Sequence, residues 1–237
     1  FGLHSIIEAI EAGRDIEKIY LKRDFGGELV KTLFAKIKTY GIPCRKVPVE
    51  KLNSFTEKNH QGAVAFVAEI SYSNISDIIP TLYEAGKTPL IVSLDGVTDI
   101  RNFGAISRTC ECAGVDAILL PSYCSATINA DAVKTSAGAL HYLPVCRTDN
   151  LCQAIKFLKY SGFTIIALSE KANIAYTDQD YSSPTVLVLG AEDRGISSEV
   201  LSLCDSTVKI PVLGKIESLN VSVAAGIVIY EAVKSRQ

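Results

Sequence analysis

Six short apolar runs, separated by segments with helical spacing, dominate the chain from residue 89 onwards. They are PLIVSL (89–94), DAILLP (116–121), LPVCR (143–147), FTIIAL (163–168), TVLVLG (185–190) and TVKIPV (207–212). Continuous apolar strands that alternate with helices are typical of a parallel sheet buried on both faces. The sequence therefore predicts an α/β domain, with functional loops at the carboxyl ends of its strands.

A smaller α/β unit is predicted ahead of this sheet. Its predicted elements are a helix at 3–12, a strand at 16–21, a helix at 27–40 and a strand at 62–70. The polar segment 71–80 then fits a linker or a short connecting helix. We therefore predict two domains, 1–70 and 81–237.

Composition narrows the class of protein. Of the 237 residues, 48% are hydrophobic and 21% are charged, which suffices for one large or two modest cores. No apolar run reaches the ~20 residues of a membrane span, and the first residues lack the features of a secretory signal. We therefore expect a cytoplasmic protein with no membrane partner. The seven cysteines form no CxxC pair and the three histidines have no ligand spacing, so no metal site is expected.

Three loops that leave predicted strands carry more polar residues than a simple connection needs. They are DGVTDIRNFGAISR (95–108), GAEDRGIS (190–197) and GKIESLN (214–220). The chain has no GxxxxGK[ST] motif, and no GxGxxG follows the first strand of the sheet. P-loop and ordinary dinucleotide-binding functions therefore lack their anchoring motifs.

In this order, three segments resemble the motifs of the SpoU/TrmH-type RNA 2′-O-ribose methyltransferases of the SPOUT superfamily. They are NFGAISRTCECAGVDAILL (102–120), LVLGAEDRGIS (187–197) and IPVLGKIESLNVSVAAGIVIYE (210–231). The match covers roughly residues 89–234. The front domain, with GLHSIIEAI and HQGAVAFV, resembles the substrate-binding domain of the subgroup that methylates a guanosine in large-subunit (23S) rRNA.

The resemblance implies properties that the residue pattern does not reveal. Family members have a deep trefoil knot in the C-terminal part of this domain, bind S-adenosylmethionine in a bent form and form homodimers whose interface adjoins the site. It also implies that main-chain atoms at Gly190, Ile210 and Leu219 bind the cofactor, with no metal. An apolar pocket with backbone donors and acceptors suits adenine, although without the resemblance these three residues fit an ordinary core.

Ser218 and Asn220 stand where a loop becomes an apolar helix. On spacing alone they fit an N-cap and its neighbour. The resemblance adds a functional role for both residues, and the two interpretations are compatible because an amide and a hydroxyl can hold a ribose and a loop together.

The resemblance further implies that Arg108, Asn102 and Glu192 are catalytic. Arg108 could hold the phosphate beside a ribose hydroxyl or accept the hydroxyl proton; the alternative is a solvated charge. Asn102 matches the amide of the first motif, and we also expect it to cap the helix that follows. Glu192 could fix Arg108 or Asn102, or order the cofactor loop; the alternative is a surface acid.

Charge qualifies the expectation of an RNA partner. The net charge is −2, yet residues 1–70 carry eleven Lys or Arg against nine Asp or Glu. RNA contact would therefore depend on local basic residues of the front domain, or these residues form a solvated face. The candidates are Lys31, Lys36, Lys38, Arg45, Lys46 and Lys51.

These observations lead to one functional expectation. The chain is expected to transfer a methyl group from S-adenosylmethionine to the ribose 2′-hydroxyl of a guanosine in 23S rRNA, with RNA and not DNA as its partner. A tRNA 2′-O-methyltransferase and an RNA-binding relative that has lost catalysis are the alternatives.

Overall fold

The computed structural model of the protein describes residues 1–237, and the chain divides into two compact units, Phe1–Ser71 and Tyr72–Gln237. The first unit is a small α/β fold. Its elements are α1 Leu3–Glu11, β1 Ile16–Lys22, α2 Glu28–Thr39, β2 Cys44–Val47, α3 Val49–Asn53 and β3 Ala63–Val67. The sheet has the order β2-β1-β3, in which β1 pairs in parallel with β2 and antiparallel with β3.

Alternation along β1 gives the first unit two apolar layers. Ile19 and Leu21 are fully buried in the core that contains α1 and α2. Tyr20 points to the opposite face of the sheet, where its ring lies 5.0 Å from that of Phe55 and 5.9 Å from that of Phe66. The short strand β2 and helix α3 were not predicted from the sequence.

The second unit contains a seven-stranded sheet between two layers of helices. Its helices are α4 Ile75–Glu84, α5 Ile100–Cys112, α6 Ala130–Thr135, α7 Leu151–Tyr160, α8 Ser198–Leu201 and α9 Val221–Lys234. Its strands are β4 Leu90–Asp95, β5 Ala117–Pro121, β6 Val145–Thr148, β7 Thr164–Leu168, β8 Ile174–Ala175, β9 Thr185–Gly190 and β10 Ser206–Lys209. Short 3₁₀ turns occupy Ala139–His141 and Tyr176–Asp178.

The strand order is β6-β5-β4-β9-β7-β10-β8, and the neighbouring strands are parallel. The predicted α/β class with a parallel sheet is thus confirmed. The last predicted strand, 207–212, is shorter than expected because residues 210–212 belong to the loop that follows β10.

Helices cover both faces of the sheet. On one face α4, α7 and α8 pack in a core that includes Ile79, Ile155 and Val200. On the other face α5 packs against α6 and α9, and α9 also packs against β9. Phe103 of α5 and Ile229 of α9 are almost completely buried there. No helix in the structure combines the length and the apolar character needed to cross a membrane.

From Tyr72 onwards, the segment 71–80 belongs to the second unit. Helix α4 begins within it, and Ile75 and Ile79 are buried in the core under one face of the sheet. The trefoil knot stays a prediction.

The end of the chain is held by one guanidinium group. Arg236 donates to the backbone carbonyls of Tyr181 at 2.9 Å, Thr88 at 2.8 Å and Ser183 at 2.8 Å, with a longer contact of 3.4 Å to Pro89. Burial lowers the pKa of Arg236, and the charge of Asp116 opposes that shift. These bonds link the segment after α9 to the residues that precede β4 and β9.

We expect Arg236→Ala to lower the free energy of unfolding by about 1.5–3 kcal/mol, the range for hydrogen bonds to a charged group. Arg236→Lys should recover only part of this loss, because an ammonium group lacks the planar fork that spans several carbonyls. Urea denaturation of the three proteins provides the measurement, and an equal stability of all three would contradict it.

Candidate functional site

One side chain, that of Asn220, links the start of α9 to the first turn of α5 and to the loop after β9. Its Oδ1 accepts from the Ser222 amide at 2.9 Å and the Ser222 hydroxyl at 2.6 Å, so Asn220 is the N-cap of α9. Its Nδ2 donates to Asn102 Oδ1 at 3.0 Å and to Glu192 Oε1 at 2.8 Å. We call Asn102, Glu192 and Asn220 the polar cluster. The predicted cap is thus confirmed, and the functional role of Asn220 stays a prediction.

Asn102 lies within α5, and the prediction that it caps this helix is wrong. The N-cap is Asp99, whose carboxylate accepts from the amides of Arg101 at 2.8 Å and Asn102 at 3.0 Å. Donation from the Asn102 amide, followed by that from Arg101, lowers the pKa of the Asp99 carboxyl. A carboxylate can accept from both amides of the first turn, which leaves the side chain of Asn102 free to reach Asn220.

Glu192 is presented by the loop that follows β9. This loop is closed by two backbone hydrogen bonds between Ala191 and Gly195, of 3.1 and 2.8 Å. The closure brings the chain directly over Gly190: a Cβ there would lie 2.2 Å from the carbonyl carbon of Gly195. Only glycine fits at position 190, so its first role is to let the loop fold back tightly.

An open cleft, lined mainly by apolar side chains, lies beside the polar cluster. Its lining residues are Leu168, Ser169, Glu170, Leu189, Gly190, Ala191, Glu192, Gly195, Ile210, Val212, Glu217, Ser218, Leu219, Val221 and Ala224. They come from the carboxyl ends of β7 and β9, from the loops after β7, β9 and β10, and from the start of α9. The structure thus brings Gly190, Ile210 and Leu219, the three residues expected to bind a cofactor, to one cleft.

A second, more polar cavity adjoins the cleft. Its lining residues are Gly96, Val97, Thr98, Asp99, Asn102, Ala191, Glu192, Asp193, Arg194 and Val221. It shares Ala191, Glu192 and Val221 with the cleft. Glu192 therefore stands where the two spaces meet, which is where a group held in the cleft could react with a molecule in the cavity.

Two of the predicted residues lie outside the hydrogen-bonded cluster. Ser218 lines the cleft on the exposed loop before Asn220. Arg108 is exposed on α5, six residues after Asn102, which places it about 9 Å further along the helix axis. Within one chain, the structure does not bring Arg108 into the cluster.

Five polar residues at or next to the site had no role predicted from the sequence. Asp99 caps α5, Glu170 and Glu217 line the cleft, and Asp95 bonds to Ser197 across the two loops. Asp95 and Glu170 had a signal that could have been used, because each comes at or just after the carboxyl end of a predicted strand.

The two roles of Asn220 can be separated by substitution. Asn220→Ala should lower the free energy of unfolding by about 1 kcal/mol, the usual cost of losing a cap. Asn220→Asp keeps the cap but places a carboxylate against Glu192. Like charges raise carboxyl pKa values in the folded state, so the folded variant binds more protons than the unfolded chain and loses stability as the pH rises.

We therefore expect Asn220→Asp to match the wild type more closely at about pH 4.5 than at about pH 7.5, where both carboxyls are ionised. Urea denaturation at the two pH values measures this difference. A pH-independent difference would mean that residue 220 and Glu192 are not in contact in solution.

Known sequence families match both units of the chain. The sequence model of the SpoU rRNA methylase family matches residues 89–230, and that of RNA 2′-O ribose methyltransferase substrate binding matches residues 1–73. A Staphylococcus haemolyticus protein assigned to the TrmH family of tRNA/rRNA methyltransferases is 32% identical, over 99% of this chain and 94% of its own length.

Solved structures agree with the sequence matches. An AdoMet-bound rRNA methyltransferase from Sinorhizobium meliloti is 28% identical with a TM-score of 0.64, and the match covers 98% of this chain and 85% of that one. A TrmH/SpoU tRNA modifying enzyme from A. aeolicus is 35% identical with a TM-score of 0.58, over 68% of this chain and 83% of that one. By these matches, the chain belongs to the SpoU rRNA methylase family.

Proposed function

We propose that the chain is a cytoplasmic RNA methyltransferase that uses S-adenosylmethionine and acts on a ribose 2′-hydroxyl. The observation that carries this proposal is that Glu192 lines both an apolar cleft and a polar cavity, while Asn102, which bonds to the same Asn220 amide as Glu192, lines the cavity. Transfer of a methyl group needs a donor on one side of such a junction and an acceptor on the other. The AdoMet-bound relative from Sinorhizobium meliloti supports the choice of donor.

The lining of the cleft fits S-adenosylmethionine. The side chains of Ile210 and Leu219 offer apolar surface for an adenine ring, and the backbone near Gly190 offers hydrogen-bonding groups. Carboxylates of Glu170 and Glu217 in the lining suit a cationic ligand. When bound, S-adenosylmethionine supplies an electrophilic methyl group on its sulfonium.

The residues of the chain then have separate tasks. The polar cluster fixes the loops around the reacting atoms, with Asn220 holding Asn102 and Glu192 in one arrangement. Ser218, in the lining of the cleft, contacts the cofactor or the ribose with its hydroxyl. Arg108 either holds the phosphate beside the target hydroxyl or accepts the hydroxyl proton.

The proposed substrate is a guanosine in 23S rRNA. The family model for RNA substrate binding spans the first unit, and residues 1–70 hold the excess of positive charge. Of the basic candidates there, Lys36 forms an ion pair of 2.8 Å with Glu11 and Lys46 lies over the ring of Phe34, so their charges are partly engaged within the unit. A tRNA substrate is the alternative that the A. aeolicus relative favours.

We also propose a homodimer whose interface adjoins the site. Val223 and Tyr230 lie seven residues apart on one face of α9 and are each 52% exposed, and Leu213 and Ile216 in the preceding loop are more exposed still. Apolar residues exposed together mark protein interfaces. A dimer would also let Arg108 of one protomer reach the cluster of its partner, since Arg108 lies outside the cluster of its own chain.

The proposal predicts ribose methylation in a direct assay. The purified chain, S-adenosylmethionine with a labelled methyl group, and either 23S rRNA or tRNA lacking ribose methylation should give labelled 2′-O-methylguanosine, identified after digestion to nucleosides. The front unit makes 23S rRNA the expected acceptor. Labelled bases would contradict the ribose assignment, whereas cofactor binding without any transfer would favour the inactive relative.

Arg108→Ala should leave the dimer mass and the affinity for S-adenosylmethionine unchanged and reduce methyl transfer by about 100-fold, the scale of a positioned proton-transfer group. Turnover equal to that of the wild type would make Arg108 a solvated charge.

Mixed dimers test whether Arg108 acts across the interface. Refolding Arg108→Ala together with Asn220→Ala in equal amounts should restore about a quarter of wild-type activity if each site combines the two protomers, because half of the dimers then hold one intact site. No recovery would place both residues in the site of one chain.

A further inference from the structure

Asp95 occupies a special position at the carboxyl end of the central strand β4. It pairs in the sheet with Gly190, the last residue of β9. Its carboxylate reaches the far end of the loop that follows β9. There, Oδ2 accepts from the Ser197 amide at 2.8 Å and from the Ser197 hydroxyl at 2.6 Å. Asp95 is therefore linked to both ends of residues 190–197, which we call the Glu192 loop.

The Glu192 loop is held tightly at several points. The Ala191–Gly195 hydrogen bonds close it, and Gly195 has a φ of +68°, a conformation that favours glycine. A Cβ on Gly96, the residue after Asp95, would lie 3.4 Å from the Cβ of Ala191, so β4 and the loop are in close contact at its start. The Asp95–Ser197 bonds supply the corresponding link at its end.

The links between β4 and the Glu192 loop determine where the functional groups of the loop lie. Glu192 reaches Asn220 at 2.8 Å, and Gly190, Ala191 and Gly195 line the cleft. If Ser197 were released, the loop would keep its internal hydrogen bonds but lose one of its links to β4. We propose that Asp95 is a positioning residue, which holds the Glu192 loop so that Glu192 meets Asn220 and the backbone of the loop faces the cleft.

The inference rests on the proposed function for its role in methyl transfer. Its alternative is that Asp95 only stabilises the fold. Asp116 offers a matched comparison, because it does a similar job at the opposite end of the same strand. One of its carboxylate oxygens accepts from the Leu90 amide at 2.9 Å and the other from Lys87 Nζ at 2.9 Å, away from the cleft.

We expect Asp95→Ala to reduce methyl transfer by about 100-fold, the loss that a misplacement of about 1 Å can cause, and to weaken S-adenosylmethionine binding. Asp95→Asn should recover most of both, because its amide oxygen can accept the same two bonds. Asp116→Ala should destabilise the protein without either effect. The loss of methyl transfer in Ser197→Ala should be smaller than that in Asp95→Ala. The double variant should lose little more than Asp95→Ala alone, because the two residues act through one contact.

A spectroscopic measurement tests the placement without turnover. In the wild type, the Nδ2 protons of Asn220 should have NMR shifts set by their bonds to Asn102 and Glu192. These shifts should change in Asp95→Ala, return in Asp95→Asn and stay unchanged in Asp116→Ala. Hydrogen exchange at the Ser197 amide should be faster than in the wild type in Asp95→Ala, and close to the wild-type rate in Asp95→Asn and Asp116→Ala.

The outcomes separate the two proposals. A wild type that binds no cofactor and methylates no RNA overturns the proposed function, and the Asn220 shifts and Ser197 exchange still decide whether Asp95 places the loop. If the wild type is active but Asp95→Ala behaves like Asp116→Ala in transfer, cofactor affinity and Asn220 shifts, then Asp95 is only a stabilising residue and the inference is overturned. Should Asp95→Ala not fold, Ser197→Ala gives the same test, since it removes the 2.6 Å bond alone.

Discussion

The site depends on the carboxamide of Asn220, whose oxygen and nitrogen both have hydrogen-bond partners. Asn220 accepts with its oxygen from the first turn of α9 and donates with its nitrogen to Asn102 and Glu192. Serine or aspartate could cap the helix equally well, but neither carries an –NH₂ group that donates twice. This set of hydrogen bonds therefore requires an asparagine, and it joins the start of α9, the first turn of α5 and the loop after β9.

The parallel sheet brings together the segments that the Asn220 carboxamide links. Strands β4 and β9 are neighbours although β5 to β8 separate them in sequence, so the loops after them leave the same edge of the sheet side by side. The chain runs to one side of β4 through β5 and β6 and then crosses to the other side, where β7 to β10 lie. Such a reversal of direction opens a crevice at the carboxyl ends of strands. Asn102 and Glu192 flank this crevice.

The sequence predicted the sheet well because buried parallel strands leave a strong apolar signal, as in TVLVLG. It missed β2 and β8, which are short, and it took Asn102 for a cap because several residue types can cap a helix and the first turn can shift by a few residues. Gly190, Ile210 and Leu219 could be named only by resemblance, since backbone recognition leaves no side-chain pattern. Asp95 was missed because its partner, Ser197, is 102 residues away.

The long separation between bonded residues has a consequence for how the protein folds. Asn220 and Asn102 are 118 residues apart, and α9 is among the last elements of the chain. Contacts between distant residues form slowly, because a long loop must close before the contact contributes any stability. The site is thus completed only when the second unit is almost wholly assembled. Binding of a ligand in the cleft is therefore a sensitive reporter of complete folding, whether during synthesis or after dilution from denaturant.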